Sequence, residues 1–241
     1  MINTENLATQ RIGDIVSENY HTAGVFKEFG IDFCCGGGRP LNEVCEKKGL
    51  SLNEVVQKLN TIPRQGNKNS HNYKEWDAGF LIDYIINTHH AFVRKKTEEI
   101  SVYAAKVAQV HGENHPENVN IFKIFVALAN DMIEHLDAEE TTVFPLIKKL
   151  SIKMENAEAL LEAEKDKLRG QLSLMENDHD GAGKLMADIR TLSHDFTPPE
   201  DACRTYQILY QNLEGFEEDL HKHVHLENNI LFKKAEKLLA A

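Results

Sequence analysis

Two histidine–glutamate pairs sit where a helix would place leucines. His135 and Glu139 fall on the series Ile121, Phe125, Leu128, Met132, His135, Glu139, Thr142, Leu146. His223 and Glu227 fall on Tyr206, Leu209, Leu213, Phe216, Leu220, His223, Glu227, Ile230. Spacings that alternate between four and three residues stay on one face of an α-helix, so each series is an inward stripe interrupted by a base and an acid. The interruption repeats as D-x3-H-x3-E-x4-F: Asp131, His135, Glu139 and Phe144 match Asp219, His223, Glu227 and Phe232. One such pair alone is an ordinary solvent-facing pair worth about 0.2–0.5 kcal/mol. Two identical pairs on apolar stripes are not explained that way, because an unpaired buried carboxylate is strongly unfavourable. Two metal cations remove that cost. Carboxylates inside helical bundles bridge pairs of iron or manganese ions, and imidazole with carboxylate, without thiolate, suits iron.

The repeat implies a pseudo-twofold arrangement in which each motif helix has an equivalent partner before it. The first partner offers His90, on Ile82, Ile86, His90, Val93; the second offers His179, on Leu172, Met175, His179, Ala182, Met186. Counting from a turn centred near residue 113 puts His90 and His135 at one height. The same count from residue 198 matches His179 and His223 less well, unless an irregular Pro-containing turn absorbs the difference. The predicted metal ligands are therefore His90, His135, Glu139, His179, His223 and Glu227. Asp131 and Asp219, one turn before the ligand histidines, either orient imidazole N–H groups or lie on a solvated face. His111 continues the first stripe but lies roughly 30 Å from His90 along a straight helix, so it reads as a helix-end residue. His115 reads as turn structure. His221 and His225 point away from the His223 face, and His21, His71, His89 and His194 read as surface.

The elements that must position these residues are helical. The fold expected is all-α: a small N-terminal helical domain over 1–62, a polar linker over 63–74, and an up-down four-helix bundle over 75–241. In the N-terminal domain, Thr9–Phe29 reads as one helix closed by Gly30, Leu41–Lys48 as a short helix closed by Gly49, and Ser51 as the cap of a third. In the bundle, the helices run from about Asp77 to His111, from Pro116 to Leu150, up to His194, and from Pro198–Pro199 to the C-terminus. Residues 151–170 are charged and leave room for a short helix. Among 241 residues, 41% are hydrophobic and the formal net charge is −11. That acidity argues against nucleic acid or anionic membrane as a partner. No apolar run approaches the roughly 18 residues of a membrane span. The first residues carry no signal pattern, so a cytoplasmic location with reduced cysteines is expected.

A second chemical feature is IDFCCGGGRPL, residues 31–41. Adjacent Cα atoms lie about 3.8 Å apart, too close for a relaxed disulfide. Cys34 and Cys35 are therefore either redox-active, metal-binding or partner-binding thiols, or small residues packed in a tight turn. Gly36, Gly37 and Gly38 would expose them, and Arg39 would favour a thiolate. Cys45 and Cys203 read as buried.

Taken together, IDFCCGGGRPL, IEHLDAEETTVFP, NDHDGAG and HVHLENNILF resemble the RIC proteins (repair of iron centres, ScdA/YtfE type) over nearly the whole chain. The resemblance implies a hemerythrin-like bundle with two non-haem iron ions in an oxo- and carboxylate-bridged centre. It further implies cytoplasmic restoration of iron–sulfur clusters damaged by nitric oxide or peroxide, with the six residues above as ligands. Compared with oxygen-carrying hemerythrins, the third helix has Gly183 in place of a second histidine, and the fourth has H-x3-E in place of H-x4-D. Coordination is then more open, which speaks against simple oxygen storage. Damaged iron–sulfur proteins or cluster-assembly machinery are the expected partners, with nitric oxide or oxygen as small ligands; a homodimer is left open. Iron delivery and nitric oxide handling both fit the leading reading. A di-iron nitric oxide reductase and a hemerythrin-like oxygen or iron sensor are the alternatives.

Overall fold

A computed structural model of the chain describes residues 7–63 and 72–240, the last by its backbone alone. The expected linker falls largely outside the described residues, since 64–71, with His71, are not among them. The described residues are helical, and their one β contact is an isolated bridge between Arg11 and Pro40. The chain forms two compact units: Met1–Leu81 with Val224–Lys237, and Ile82–His223 with Leu238–Ala241.

In the first unit, α1 spans Ile12–Glu18, α2 Ala23–Glu28, α3 Leu41–Lys48 and α4 Leu52–Thr61. The single helix expected over Thr9–Phe29 is two. Asn19 is extended (φ −152°, ψ 100°) and its side chain accepts the His21 N–H, the local bonding by which Asn competes with a helix. A 3₁₀ turn over Tyr20–Thr22 then restarts the chain. α3 stops at Gly49, whose φ of 66° is the left-handed conformation that glycine adopts without a Cβ clash. Ser51 caps α4 by accepting the Glu54 N–H at 3.4 Å. Ile12, Phe26, Leu41 and Val55 are fully buried at the centre of this unit.

Four long helices make up most of the second unit; the first of them begins, and the fourth continues from Val224 to Lys237, in residues of the first unit. Helix A is α5 (Ala78–Ile85), one π turn (Ile86–His90) and α6 (Ala91–His111). Helix B is α7 (Glu117–Ala138), a π turn (Glu139–Val143) and α8 (Phe144–Glu155). Helix C is α9, Glu162–Leu192, without a break. Helix D is α10 (Arg204–Leu226), a π turn (Glu227–Leu231) and α11 (Phe232–Ala240). Helix B is longer than expected and helix D starts later, at Arg204. The stretch between C and D holds three consecutive residues with positive φ, His194, Asp195 and Phe196. Phe196 is buried beneath the Arg190 guanidinium, which stands 4.7 Å from its ring centroid.

Ion pairs and one side-chain hydrogen bond, Lys96 to Asn212, show the up-down order. From Asp83–Lys148 through His90–Glu140 to Arg94–Asp137, numbers rise on A as they fall on B. His135–Asp178 and Lys149–Glu164 give the same sense for B and C. His89–Asp219 and Lys96–Asn212 give it for A and D. This register puts His90 level with Glu139 and Glu140, one turn from the height expected opposite His135. Phe125 and Phe216 meet edge to face, ring centroids 5.5 Å apart, in the bundle core.

The π turns alter the stripes. An i→i+5 turn inserts a residue, so everything after it is rotated by about 100° relative to a regular helix. On helix A the buried positions run Ile82, Ile85, His89, His90, Val93, and Ile86 is only half-buried. On helix B the burial passes from Glu139 to Val143, leaving Thr142 half-buried. Helix C, which has no π turn, keeps the whole expected stripe: Leu172, Met175, His179, Ala182 and Met186 are buried.

Candidate metal centre

Each of three ligand candidates lies in a π turn. His90 ends the first, Glu139 opens the second and Glu227 opens the third. Such turns are uncommon and recur at functional sites, because the extra residue re-aims a side chain that a regular helix would send elsewhere. All six side chains are buried; Glu139, His223 and Glu227 have no exposed surface.

The distances gather them around Glu139. Its Oε2 lies 3.4 Å from His90 Nε2 and 3.4 Å from His135 Nε2. His135 Nε2 is 3.0 Å from His179 Nε2. Two imidazole nitrogens bound at right angles to one ion at about 2.1 Å would stand about 3 Å apart, taking zinc–imidazole bonds as the scale. The His90 ring stands 4.9 Å from the His223 ring, centroid to centroid. Glu227 follows His223 by one turn of the same helix. Two groups at this place could hold a metal ion: His90, Glu139, His223 and Glu227, and His135, Glu139, His179 and Glu227. Within each group, one ligand atom per residue lies within 4.8 Å of the others. The donor set fits a hard-to-borderline cation: two neutral nitrogens and two carboxylates per group, with no sulfur.

Outer partners hold the imidazoles. His90 Nδ1 lies 2.9 Å from Glu140 Oε1, and Arg94 Nη2 donates to the same oxygen at 3.0 Å. Burial pushes the Glu140 carboxyl up, but the His90 and Arg94 bonds outweigh it and hold the group below the usual glutamate range. A charged Glu140 can thus accept the His90 Nδ1–H, which leaves Nε2 as the lone-pair nitrogen facing Glu139. His135 Nδ1 meets Asp178 Oδ2 at 3.4 Å. Burial raises the Asp178 carboxyl and nearby Asp131 adds to this, against the lowering effect of His179.

Several histidines lie elsewhere than the sequence suggested. His89 is buried, not on the surface. Its Nδ1 lies 2.8 Å from Asp219 Oδ1, and its ring is parallel to that of His223 at 5.8 Å. The π turn brings both His89 and His90 inward, whereas adjacent residues of a regular helix point about 100° apart. The adjacent pair in INTHH was the only sequence signal for it. His111 is at the far end of helix A, its Nε2 3.2 Å from the Sγ of Cys203, and Cys203 is exposed rather than buried. His115 bridges Glu117 and Asp201, each at 3.1 Å. His225 faces away from the His223 side as expected, yet is buried, in the first unit. It lies near Ser17 Oγ (3.4 Å) and Asn229 Nδ2 (3.3 Å), and burial brings it down to about 3.

The dicysteine turn is less exposed than its three glycines suggested. Cys34 is buried and Cys35 half-buried; both are free thiols. The Cys34 thiol is held well above its usual range, by its bond to Cys35, by burial, and by the Asp32 carboxylate. The thiolate expected from Arg39 is therefore disfavoured at Cys34. Gly37 is explained by packing. Asn229 Nδ2 donates to the carbonyls of Cys34 (2.9 Å) and Phe33 (3.3 Å). A Cβ on Gly37 would come within 2.6 Å of Asn229 Oδ1, and one on Gly13 within 2.1 Å.

Comparisons with known proteins agree with this architecture. Residues 81–235 match the hemerythrin HHE cation-binding domain, and residues 8–62 match ScdA_N, a domain of unknown function. The chain is 33% identical over 234 residues to the iron–sulfur cluster repair protein ScdA of Staphylococcus haemolyticus, covering 97% of this chain and 99% of the relative. It is 31% identical over 226 residues to the iron–sulfur cluster repair protein YtfE of Pectobacterium carotovorum, covering 94% and 96%. A probable iron–sulfur cluster repair protein of Haemophilus influenzae is 30% identical over 232 residues, covering 95% and 97%. With its buried His/Glu groups inside a matching HHE domain and its dicysteine turn inside a matching ScdA_N domain, the chain belongs to the ScdA/YtfE family of hemerythrin-type cation-binding proteins.

Proposed function

We propose that this chain is a cytoplasmic di-iron protein that restores iron–sulfur clusters damaged by nitrosative or oxidative stress. The observation that carries the reading is that the two ligand groups share the same two carboxylates, Glu139 and Glu227, while each has two histidines of its own. Two ions with common carboxylate bridges need that sharing; a single ion does not. His90 and His223 would hold one iron, and His135 and His179 the other. The names of the relatives, which are iron–sulfur cluster repair proteins, supply the function.

When bound, the irons supply a pool of ferrous or ferric ion and a place where small ligands such as nitric oxide bind. The residues of the chain set how firmly that pool is held. Four protein donors per ion would leave positions open on an octahedral iron for exchangeable ligands. The buried site excludes bulk water, which strengthens carboxylate–cation attraction. Glu140 and Asp178, by accepting from Nδ1, keep the Nε2 lone pairs of His90 and His135 turned to the site. Damaged iron–sulfur proteins are the expected clients.

Two measurements test the reading. Protein purified without air should contain about two irons per chain, from the two ligand groups of this donor type. Added to a nitrosylated iron–sulfur enzyme, it should restore activity. Recovery no greater than that given by apo-protein or by Glu139→Ala would sink the proposal.

A further inference from the structure

A third ligand group lies outside the bundle site: Asp32, Cys34 and Cys35, with one ligand atom from each mutually within 4.8 Å. We propose that it is a binding site for a single thiophilic divalent ion of the zinc or ferrous class, held by two thiolates and one carboxylate. The inference does not rest on the di-iron reading, because no ligand is shared.

Geometry carries it. The Cys34 and Cys35 Sγ atoms are 3.9 Å apart. Two thiolates on one tetrahedral ion, at about 2.3 Å each, stand about 3.8 Å apart. The thiols are thus already spaced for an ion, although neighbouring residues in an extended chain would point to opposite sides. The turn that achieves this is fixed at both ends. Asp32 Oδ1 accepts the N–H groups of Cys34 (2.9 Å) and Cys35 (3.0 Å), and its Oδ2 accepts that of Gly36 (2.8 Å). Asn229 holds the Cys34 carbonyl from the other side. A carboxylate has about four lone-pair positions; two N–H groups occupy Oδ1 and one occupies Oδ2, so the position left for a cation is on Oδ2. The Cys34 thiol donates to Asp32 Oδ1 at 3.2 Å, so carboxylate and thiol already stand together.

Charge points the same way. Cys35, burial and Asp32 make an isolated Cys34 thiolate unfavourable. The neighbouring negative charges that oppose it become favourable once a dication lies between them. Binding would convert two S–H groups to two metal–sulfur bonds and release both protons to solvent, with no change of oxidation state. Asp32 is exposed and Cys35 half-buried, so an ion can enter from solvent and keep a fourth position for water or a client's ligand.

The test uses the full chain, reduced, with Cys203→Ser to remove the exposed thiol. Cobalt(II) is the probe, because a thiolate-to-cobalt charge-transfer band reports sulfur ligation whatever occupies the His/Glu groups. One equivalent beyond what the His/Glu groups take up should saturate the band and protect two thiols from alkylation. Cys35→Ser should abolish it. Asp32→Asn, which keeps an oxygen acceptor for the turn, should weaken binding at least tenfold while far-ultraviolet dichroism stays unchanged. No band in the parent, the same band in Cys35→Ser, or equal affinity in Asp32→Asn would each overturn the proposal. Iron content, read separately, keeps this outcome distinct from that of the bundle site.

Discussion

Helices B and D carry the same motif at the same spacing, yet their surroundings differ. On D, the motif aspartate Asp219 binds His89, a histidine that the metal-holding groups do not include. On B, the equivalent Asp131 is exposed, and the Nδ1 of His135 turns instead to Asp178 of helix C. Their partner helices differ as well. Helix A is bent through a π turn that brings two histidines inward, whereas helix C runs 31 residues without a break and brings one. A repeated motif therefore fixes the ligands on its own helix. The group beside the helix B ligand His135 comes from helix C, whereas the aspartate of the helix D motif meets a histidine of helix A, so the surroundings of the two motifs have not stayed symmetrical.

The comparison can be broken most directly at the shared carboxylate. Glu139→Ala should empty both halves, lowering metal affinity by more than the roughly 10–100-fold typical of outer partners; metal analysis after dialysis checks this. His179→Ala should instead remove about half of the metal, since only one ligand group contains it; loss of all of it would mean that the halves bind as one unit. Among outer partners, Glu140→Ala and Asp178→Ala should each weaken binding by about 10–100-fold. Glu140 should matter more, because its contact with His90 is 2.9 Å against 3.4 Å for Asp178 and His135. A competition titration with a chelator ranks them.

His89→Gln should leave the metal content intact and lower the thermal midpoint. It disturbs a buried partner of Asp219, a change of about 1–3 kcal/mol. A drop in metal would make His89 a ligand and restore the symmetry of A and C. The smallest effect concerns the start of helix C. Bonds from Lys153, Lys149 and the Leu161 N–H hold Glu164 at about 2, below its ordinary 4.5. Because the folded value is depressed, its stabilisation is present above about 4.5 and is lost as pH falls towards 2. Melting curves of the native chain and Glu164→Gln should differ at pH 6 and converge near pH 2.

The six proposed ligands were legible because each interrupts an apolar stripe, and because the Asp/His/Glu/Phe spacing occurs twice. Helix C was legible throughout, since a regular helix obeys the wheel used to read it. Ile86 and Thr142 were misplaced for the opposite reason. The π turns that shift them are backbone events with no residue signature of their own. His89 was missed by the same shift. The upward pull on the Cys34 thiol was not legible because it comes from contacts within the folded turn, with Cys35 and Asp32, and from burial that depends on residues far along the chain. Tyr20 failed to continue the first helix because Asn19 found a local partner for its side chain.

The three π turns have a consequence for anyone transplanting this centre. The four histidines and two glutamates, copied onto ideal straight helices at their present sequence numbers, would not reassemble. Each inserted residue is a phase offset between the helix before the ligand and the helix after it. A scaffold without that offset could satisfy the ligands or the hydrophobic residues beyond them, such as Val143 and Ile147, but not both. A working graft would have to carry the irregular turn along with the side chain, one for each of helices A, B and D and none for C.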